Sequence, residues 1–260
     1  MTTMKTNHAL VTGGTSGIGY AMARRLADLG YRVSVNGLID PSTLNDFLLS
    51  FGDSQRVRFA EADLADPGAI ESMMKQAREE FGPISVLVNN AGVQHVSPVE
   101  EFSADKWEQI IAINLSSNFH TIRLAVPGMK EMGWGRIINL ASAHSLVASP
   151  FKAAYVSAKH GVLGLTKTVA LELAKHNITC VAICPGYVKT PLVEKQIPDT
   201  ARARGMTEQE VVEQVLLAAQ PTGRFVTVEQ IADTMQFLLT DGAASITGTA
   251  LSIDGGWTAQ

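Results

Sequence analysis

Cys180 and Cys184 are the only cysteines in the chain. On an extended segment from Thr179 to Cys184 they point the same way but stand ~13 Å apart, beyond the reach of a disulfide. Two sulfurs without partner ligands do not make a metal site either, so buried free thiols and no metal are expected. Basic runs are also missing. With a net charge of -4 and a pI near 5.9, no stretch can track a phosphate backbone, which sets nucleic acid aside. No apolar run approaches membrane-spanning length, and residues 1–7 are polar rather than a signal peptide, so no membrane association and a cytoplasmic location are expected. Internal repeats, low-complexity tracts and linkers are absent too. The 260 residues, 46% of them hydrophobic, suit one sizeable core, read as a single domain over 1–260.

What is present centres on residues 140–159, LASAHSLVASPFKAAYVSAK. Tyr155 and Lys159 are four apart, one turn on the same helical face. An ammonium held there favours the phenolate and is expected to pull the tyrosine below its usual value of ~10, making it a proton acceptor or donor near neutral pH. Ser142 follows the apolar run Ile137 to Leu140, which places it at the carboxyl end of a strand, where open parallel sheets bind their ligands. By itself a Tyr and a Lys at this spacing are an ordinary exposed pair; the neighbouring motifs reverse that reading.

Nearer the amino end, the apolar strand His8 to Val11 runs into Thr12-Gly13-Gly14-Thr15-Ser16-Gly17-Ile18-Gly19 and then a helical pattern through Ala21, Met22, Arg25, Leu26 and Leu29. Strand, glycine loop and helix in that order form a phosphate cradle: the backbone approaches a pyrophosphate and the helix N-terminus supplies N–H groups. The second strand, Tyr31 to Gly37, ends in Asn36-Gly37-Leu38 without the acid that commonly meets an adenosine ribose, and Asp40 fits a turn before Pro41. No Arg or Lys stands at Thr15, Ser16 or Leu38 to meet a 2′-phosphate, which favours NAD over NADP. A third strand, Arg56 to Ala62, ends in Asp63-Leu64; the carboxylate can accept from an adenine amino group or open the helix before Pro67, and both readings stay open. Helix Ala69 to Phe81 and strand Ser85 to Val88 lead to Asn89-Asn90-Ala91-Gly92, small and amide residues suited to a backbone packed beside a cofactor. A long helical stretch around Trp107 to Met132 carries Asn114 in an apolar run, either a satisfied core amide or one that bends the helix and holds a water. A helix Lys159 to Lys175 and a strand Thr179 to Cys184 bring the chain to Pro185-Gly186, after which residues 187–222 break the strand–helix rhythm. Within them Thr207 to Glu210 reads as a capping box, and the whole stretch as a helical substrate lid. Helix Val228 to Leu239 and strand Ala250 to Ile253 close the chain before Asp254-Gly255-Gly256-Trp257.

Together these motifs resemble the short-chain dehydrogenase/reductase family along essentially the whole length. The resemblance implies an α/β fold, a Rossmann-type doubly wound parallel sheet of about seven strands with helices on both faces. It implies that Gly13, Thr15, Ser16, Gly17, Ile18, Gly19, Leu38, Asp63, Leu64, Asn90, Ala91, Gly92, Pro185, Gly186, Val188 and Thr190, with Tyr155 and Lys159, face the NAD cofactor. It implies a catalytic tetrad of Asn114, Ser142, Tyr155 and Lys159, passing a hydride between a secondary alcohol and a nicotinamide ring. Tyr155 takes the hydroxyl proton, Lys159 binds the nicotinamide ribose, Ser142 orients the oxygen and Asn114 anchors a relay water. A homotetramer is implied as well, its contacts supplied by the helices within 98–132 and 151–175.

For the substrate, Lys152 lies three before Tyr155, near a helix start where a cation opposes the dipole by roughly 0.3–1 kcal/mol. That placement serves an anion; a solvated surface lysine is the alternative. With Gln94, His144 and Gln196 it makes a donor set suited to one small carboxylate, walled by Tyr187 and Trp257. Within the family the set is similar to that of bacterial D-3-hydroxybutyrate dehydrogenases, which implies a hydroxy acid and keto acid as substrate and product. Those relatives usually carry Trp after the Pro-Gly turn; Tyr187 here is expected to loosen packing near the nicotinamide. The other readings are an NADPH-dependent 3-oxoacyl thioester reductase and a catalytically silent dinucleotide sensor or scaffold.

Overall fold

The computed structural model describes residues 7–53 and 55–259. Residues 1–6, which carry most of the reading against a signal peptide, lie outside the described residues. β1 (His8–Val11) is buried at every position and feeds α1 (Gly17–Asp28) through the glycine loop. β2 (Arg32–Val35), α2 (Leu44–Leu49), β3 (Val57–Phe59), α3 (Pro67–Phe81) and β4 (Val86–Asn89) complete the first half. The second half holds α4 (Ala104–Ile111), α5 (Ser117–Met132), β5 (Gly135–Leu140), α6 (Ala153–Leu173), β6 (Ile178–Pro185), α7 (Pro191–Arg204), the short α8 (Glu208–Glu210), α9 (Val228–Leu238) and β7 (Ala250–Ile253).

The seven strands form one sheet in the order β3-β2-β1-β4-β5-β6-β7, every pair parallel. Order reverses between β1 and β4, and the crevice at that switch point is where a doubly wound sheet takes its ligand. Alternation along each strand loads both faces. Ala9 and Val11 point toward α1 and α9, packing with Met22, Leu26, Ile231 and Met235; Leu10 points the other way, toward Ile70 of α3, Met129 of α5 and Leu173 of α6. Burying one such Leu, Ile or Met side chain is worth about 1.5–3 kcal/mol, so both faces are needed to hold the sheet. Cys180 and Cys184 lie in the core as free thiols, pushed up by burial to about 12 and about 11.

Two strands and one long helix differ from the sequence reading. β2 and β3 are shorter than 31–37 and 56–62, because Asn36 ends the ladder and its amide donates to the carbonyls of Ala60 (3.0 Å) and Ala62 (3.1 Å) instead. The Trp107–Met132 stretch is not one helix: Ala112–Ser116 widens into a π-helical segment between α4 and α5, with Asn114 buried at its centre. α6 starts at Ala153, directly after Lys152, so Tyr155 lies in its first turn and shares the helix with Lys159, as the spacing requires. The excursion after β6 is helical as expected. Thr207 and Glu210 form the capping box, and the chain continues through a π segment, Val211–Leu217. Its apolar side gathers Val211, Leu216 and Ala201 with Tyr187 in a small core of its own.

Candidate active site

The cradle at the end of β1 is closed by neighbours on β4. Asn90 donates through its amide to the carbonyls of Thr12 (3.0 Å) and Gly13 (2.9 Å), and Thr12 Oγ1 accepts from the N–H groups of Asn90 and Ala91. Gly13 sits at φ +60°, and a Cβ on Gly19 would come within 2.2 Å of the Gly13 carbonyl oxygen, so neither position accepts a side chain. Ser16 caps α1 without a side-chain hydrogen bond to the helix, leaving its hydroxyl and the first-turn N–H groups for an anion. A tight glycine loop beside free helix-end donors fits the pyrophosphate of a dinucleotide.

A cleft continues from there along the carboxyl edge. It is lined by Ile18, Asn90 and Gly92, then Ser142, Tyr155 and Lys159, then Pro185, Gly186, Val188 and Thr190. Leu38, Asp63 and Leu64 stand apart from it, beyond β2 and β3. Leu38 is 94% exposed, with its carbonyl accepting from Thr15 Oγ1 at 3.0 Å. Asp63 accepts from the Ala65 N–H at 2.8 Å, and the helix-entry role open to it belongs to Asp66, which caps α3. Asp40 likewise caps the turn at Pro41.

Asn114 turns toward β4 from the π segment. Its Oδ1 accepts from the Val93 N–H and its Nδ2 donates to the Val93 carbonyl, both at 2.9 Å. The next residue, Gln94, has both amide atoms buried with no hydrogen-bond partner, an arrangement costing about 1–3 kcal/mol per group unless a ligand fills it.

The electrostatics at Tyr155 run against the expectation from spacing. Burial raises the phenol above its ordinary value, and the hydrogen bond from Ser142 offsets only part of that. The Lys159 ammonium is 5.6 Å from the ring centroid and donates to the Leu140 carbonyl at 2.5 Å, while burial lowers it to about 8. Desolvation of the phenolate sets the direction, and sequence spacing says nothing of burial.

Next to the tetrad is a second pocket, lined by Ser142, His144, Lys152, Tyr155, Tyr187, Gln196 and Trp257, with Leu192 and Val193 from the first turn of α7. Lys152 is only 6% exposed, which removes the surface reading. Burial, with the Arg204 cation second, lowers it to about 8, and its Nζ reaches the Tyr187 hydroxyl at 3.5 Å. Tyr187 is not loosely packed: it stacks on Trp257 at 5.0 Å and 15°, and its N–H donates to Gln220 Oε1 at 2.7 Å. His144 is buried and bridges Ser142 and Ser149, its Nδ1 3.3 Å from Ser142 Oγ and its Nε2 2.8 Å from Ser149 Oγ. Gln196 is half-buried on α7 and donates to the Leu192 carbonyl.

The sequence reading missed Ser149, Gln220, Leu192 and Val193. The last pair had a signal in Thr190-Pro191, a cap and a proline that open α7 facing the cleft. Ser149 and Gln220 had none.

Comparison with known proteins decides the family. A model described as short chain dehydrogenase matches residues 7–201. This chain belongs to the short-chain dehydrogenases. It is 56% identical over 258 residues to D-beta-hydroxybutyrate dehydrogenase of Rhizobium meliloti, covering 98% of this chain and 100% of the relative. It is 47% identical over 252 residues to the protein of the same name from Cupriavidus necator, covering 97% of this chain and 98% of that one. A solved actinorhodin polyketide ketoreductase with NADPH superposes with a TM-score of 0.91 at 33% identity, covering 100% of both chains. The short-chain dehydrogenase fold read from the sequence is thus the fold observed.

Proposed function

We propose that this short-chain dehydrogenase reversibly oxidises D-3-hydroxybutyrate to acetoacetate with NAD, the chain acting as one catalytic unit. The observation that carries the substrate reading is Lys152. Among the described residues no carboxylate pairs with this buried ammonium, and its named neighbours are a phenol and a second cation, Arg204. A buried charge left unpaired is costly, so the pocket is built to receive an anion. Gln196 on the helical cover adds a donor, and the Tyr187–Trp257 stack walls the apolar part of a short chain; the Gln94 amide, buried without a partner, is not part of this pocket's lining. The relatives named for D-beta-hydroxybutyrate support the acid and its hand.

In the forward direction Tyr155 accepts the proton of the substrate hydroxyl; the chemistry that bound NAD would supply is a hydride acceptor for the same carbon. Ser142 donates to the reacting oxygen, Lys159 holds the ribose and the phenolate, and Asn114 anchors the loop and a relay water. The glycine loop from Gly13 to Gly19, with Thr15, Ser16 and Leu38, carries the pyrophosphate and adenosine side. Asp63 and Leu64 would flank the adenine, and Ala91, Gly92, Pro185, Gly186, Val188 and Thr190 the nicotinamide. No cation stands at exposed Leu38, which favours NAD over NADP. The same reading includes a cytoplasmic homotetramer joined through α4, α5 and α6, whose Trp107, Phe119 and Leu171 are exposed apolar side chains.

A cofactor and substrate panel tests this. NAD should be strongly preferred, the D acid favoured over the L acid and over its esters, and Lys152→Ala should raise KM for the acid by about a hundredfold with a smaller change in kcat. Equal turnover of acid and ester would defeat the carboxylate reading. Preferential reduction of 3-oxoacyl thioesters with NADPH would move the assignment toward the ketoreductases.

A further inference from the structure

We infer that Gln220 is a positioning residue: its side-chain amide sets the plane of the Gly186–Tyr187 peptide, and with it the wall on which the nicotinamide end of the cofactor rests. The inference rests on the dehydrogenase reading above and adds to it a residue outside the lining of both pockets.

Three chain segments meet beside Gly186. The end of β6 leads into Gly186 to Val188, the return of the helical excursion supplies 220–226, and the end of β7 supplies Ile253 to Trp257. Their backbones are joined directly. The Gly186 N–H donates to the Ile253 carbonyl at 2.9 Å, the Val226 N–H to the Tyr187 carbonyl at 2.9 Å, and the Thr222 N–H to the Gly255 carbonyl at 3.1 Å. The Tyr187 N–H goes instead to a side chain, Gln220 Oε1, at 2.7 Å. The other end of the same amide donates to the Arg224 carbonyl at 2.6 Å. Gln220 is 1% exposed, so these two bonds are what satisfies it. One acceptor for the N–H and one donor for the carbonyl are what a glutamine carries, and the two backbone partners dictate which end faces which.

The amide acts on the cleft through peptide geometry. The C=O and N–H of a trans peptide lie in one plane and point opposite ways. With the Tyr187 N–H directed at Gln220, the Gly186 carbonyl is turned away from it, and Gly186 lines the cofactor cleft and the substrate pocket alike. The approach requires a glycine there: a Cβ on Gly186 would collide with Gln220 Oε1 and fall 3.0 Å from the Asp254 Cα. A glycine has no side chain to hold its own peptide in one rotation, so the constraint comes from the amide packed against it.

NADH and ADP-ribose, which lacks the nicotinamide, separate this role from a general loosening of the fold. In calorimetry on the whole chain, Gln220→Met, of equal length but without hydrogen bonds, should weaken NADH about tenfold and leave ADP-ribose within about twofold. Gln220→Asn, whose amide stops one carbon short of the turn, should show the same selective loss, and it carries the test if the methionine variant does not fold. Gln220→Glu keeps an oxygen for the Tyr187 N–H and should hold NADH within about threefold of the parent. With saturating NAD and D-3-hydroxybutyrate, kcat should be about tenfold lower in the first two variants, because hydride transfer is sensitive to misplacement of the ring. Equal weakening of both ligands, no weakening of either, or a glutamate variant as poor as the methionine one overturns the inference. If the wild-type protein binds both ligands but oxidises no hydroxy acid, the functional reading has failed, and the binding comparison still decides this one.

Discussion

At the scale of single residues, Tyr155 and Lys152 divide the chemistry between them. Replacing Tyr155 by Phe removes one oxygen from a buried site and leaves the glycine cradle untouched. Turnover should fall by more than about a thousandfold while NAD binding, followed by calorimetry, changes little. Lys152 gives a pH signature. Burial places its loss of charge at about 8, so it is cationic below that pH and neutral above it. The inhibition constant of acetate, itself an anion throughout this range, should be flat below pH 8 and rise as pH passes through it, whereas Lys152→Met should show weak, pH-independent inhibition. A flat wild-type profile would place the anion elsewhere. These two residues were legible in the sequence for a simple reason. Tyr155, Lys159 and Lys152 sit within two helical turns of one another, so spacing alone puts them together. Their protonation was not legible: burial decides the state of Tyr155, and the pocket around it is closed by side chains as distant as Leu192, Val193 and Trp257.

Among the elements, the π segment Ala112–Ser116 is the clearest case of structure serving the site. Its widened turn aims Asn114 at both backbone groups of Val93, and so fixes the loop on which Gln94 is carried. Asn114→Ala would leave a buried N–H and a buried carbonyl without partners, at about 1–3 kcal/mol each. Melting should drop by several degrees, at about 2–4 °C per kcal/mol for a chain this long, together with loss of activity. An unchanged melting temperature would mean that water replaces the amide without loss. The sequence marked Asn114 as an amide needing partners in an apolar run, yet the widened turn around it and its choice of Val93 depend on the loop that follows β4, twenty-one positions away. Likewise the strand ends after β2 and β3 were misjudged by a residue or more, because Asn36 satisfies carbonyls there that a longer ladder would have taken. Where a cap is local, as at Thr207 and Glu210, reading and structure agree.

For the molecule as a whole, acid stability has an identifiable source in His8. Its Nδ1 is 2.8 Å from the Gly82 carbonyl oxygen and its Nε2 2.9 Å from Ser34 Oγ, and burial lowers it from 6.5 to about 4. The unfolded chain takes up this proton near pH 6.5 and the folded one resists it, so stability is full above 6.5 and declines as pH falls toward 4, by up to about 3 kcal/mol. Chemical denaturation between pH 7 and 4 should show that slope, reduced in His8→Gln; equal slopes would assign acid sensitivity to other groups, His144 among them. The general architecture was readable because alternating strands and glycine turns recur along the chain, whereas contacts joining Tyr187 to Trp257 across seventy positions left no local trace. That stack belongs at once to the wall beside the reacting carbon and to the small core under α7 and the Val211–Leu217 segment. Wall and roof therefore share one set of apolar contacts, so a truncation at Tyr187 or Trp257 should loosen both at once.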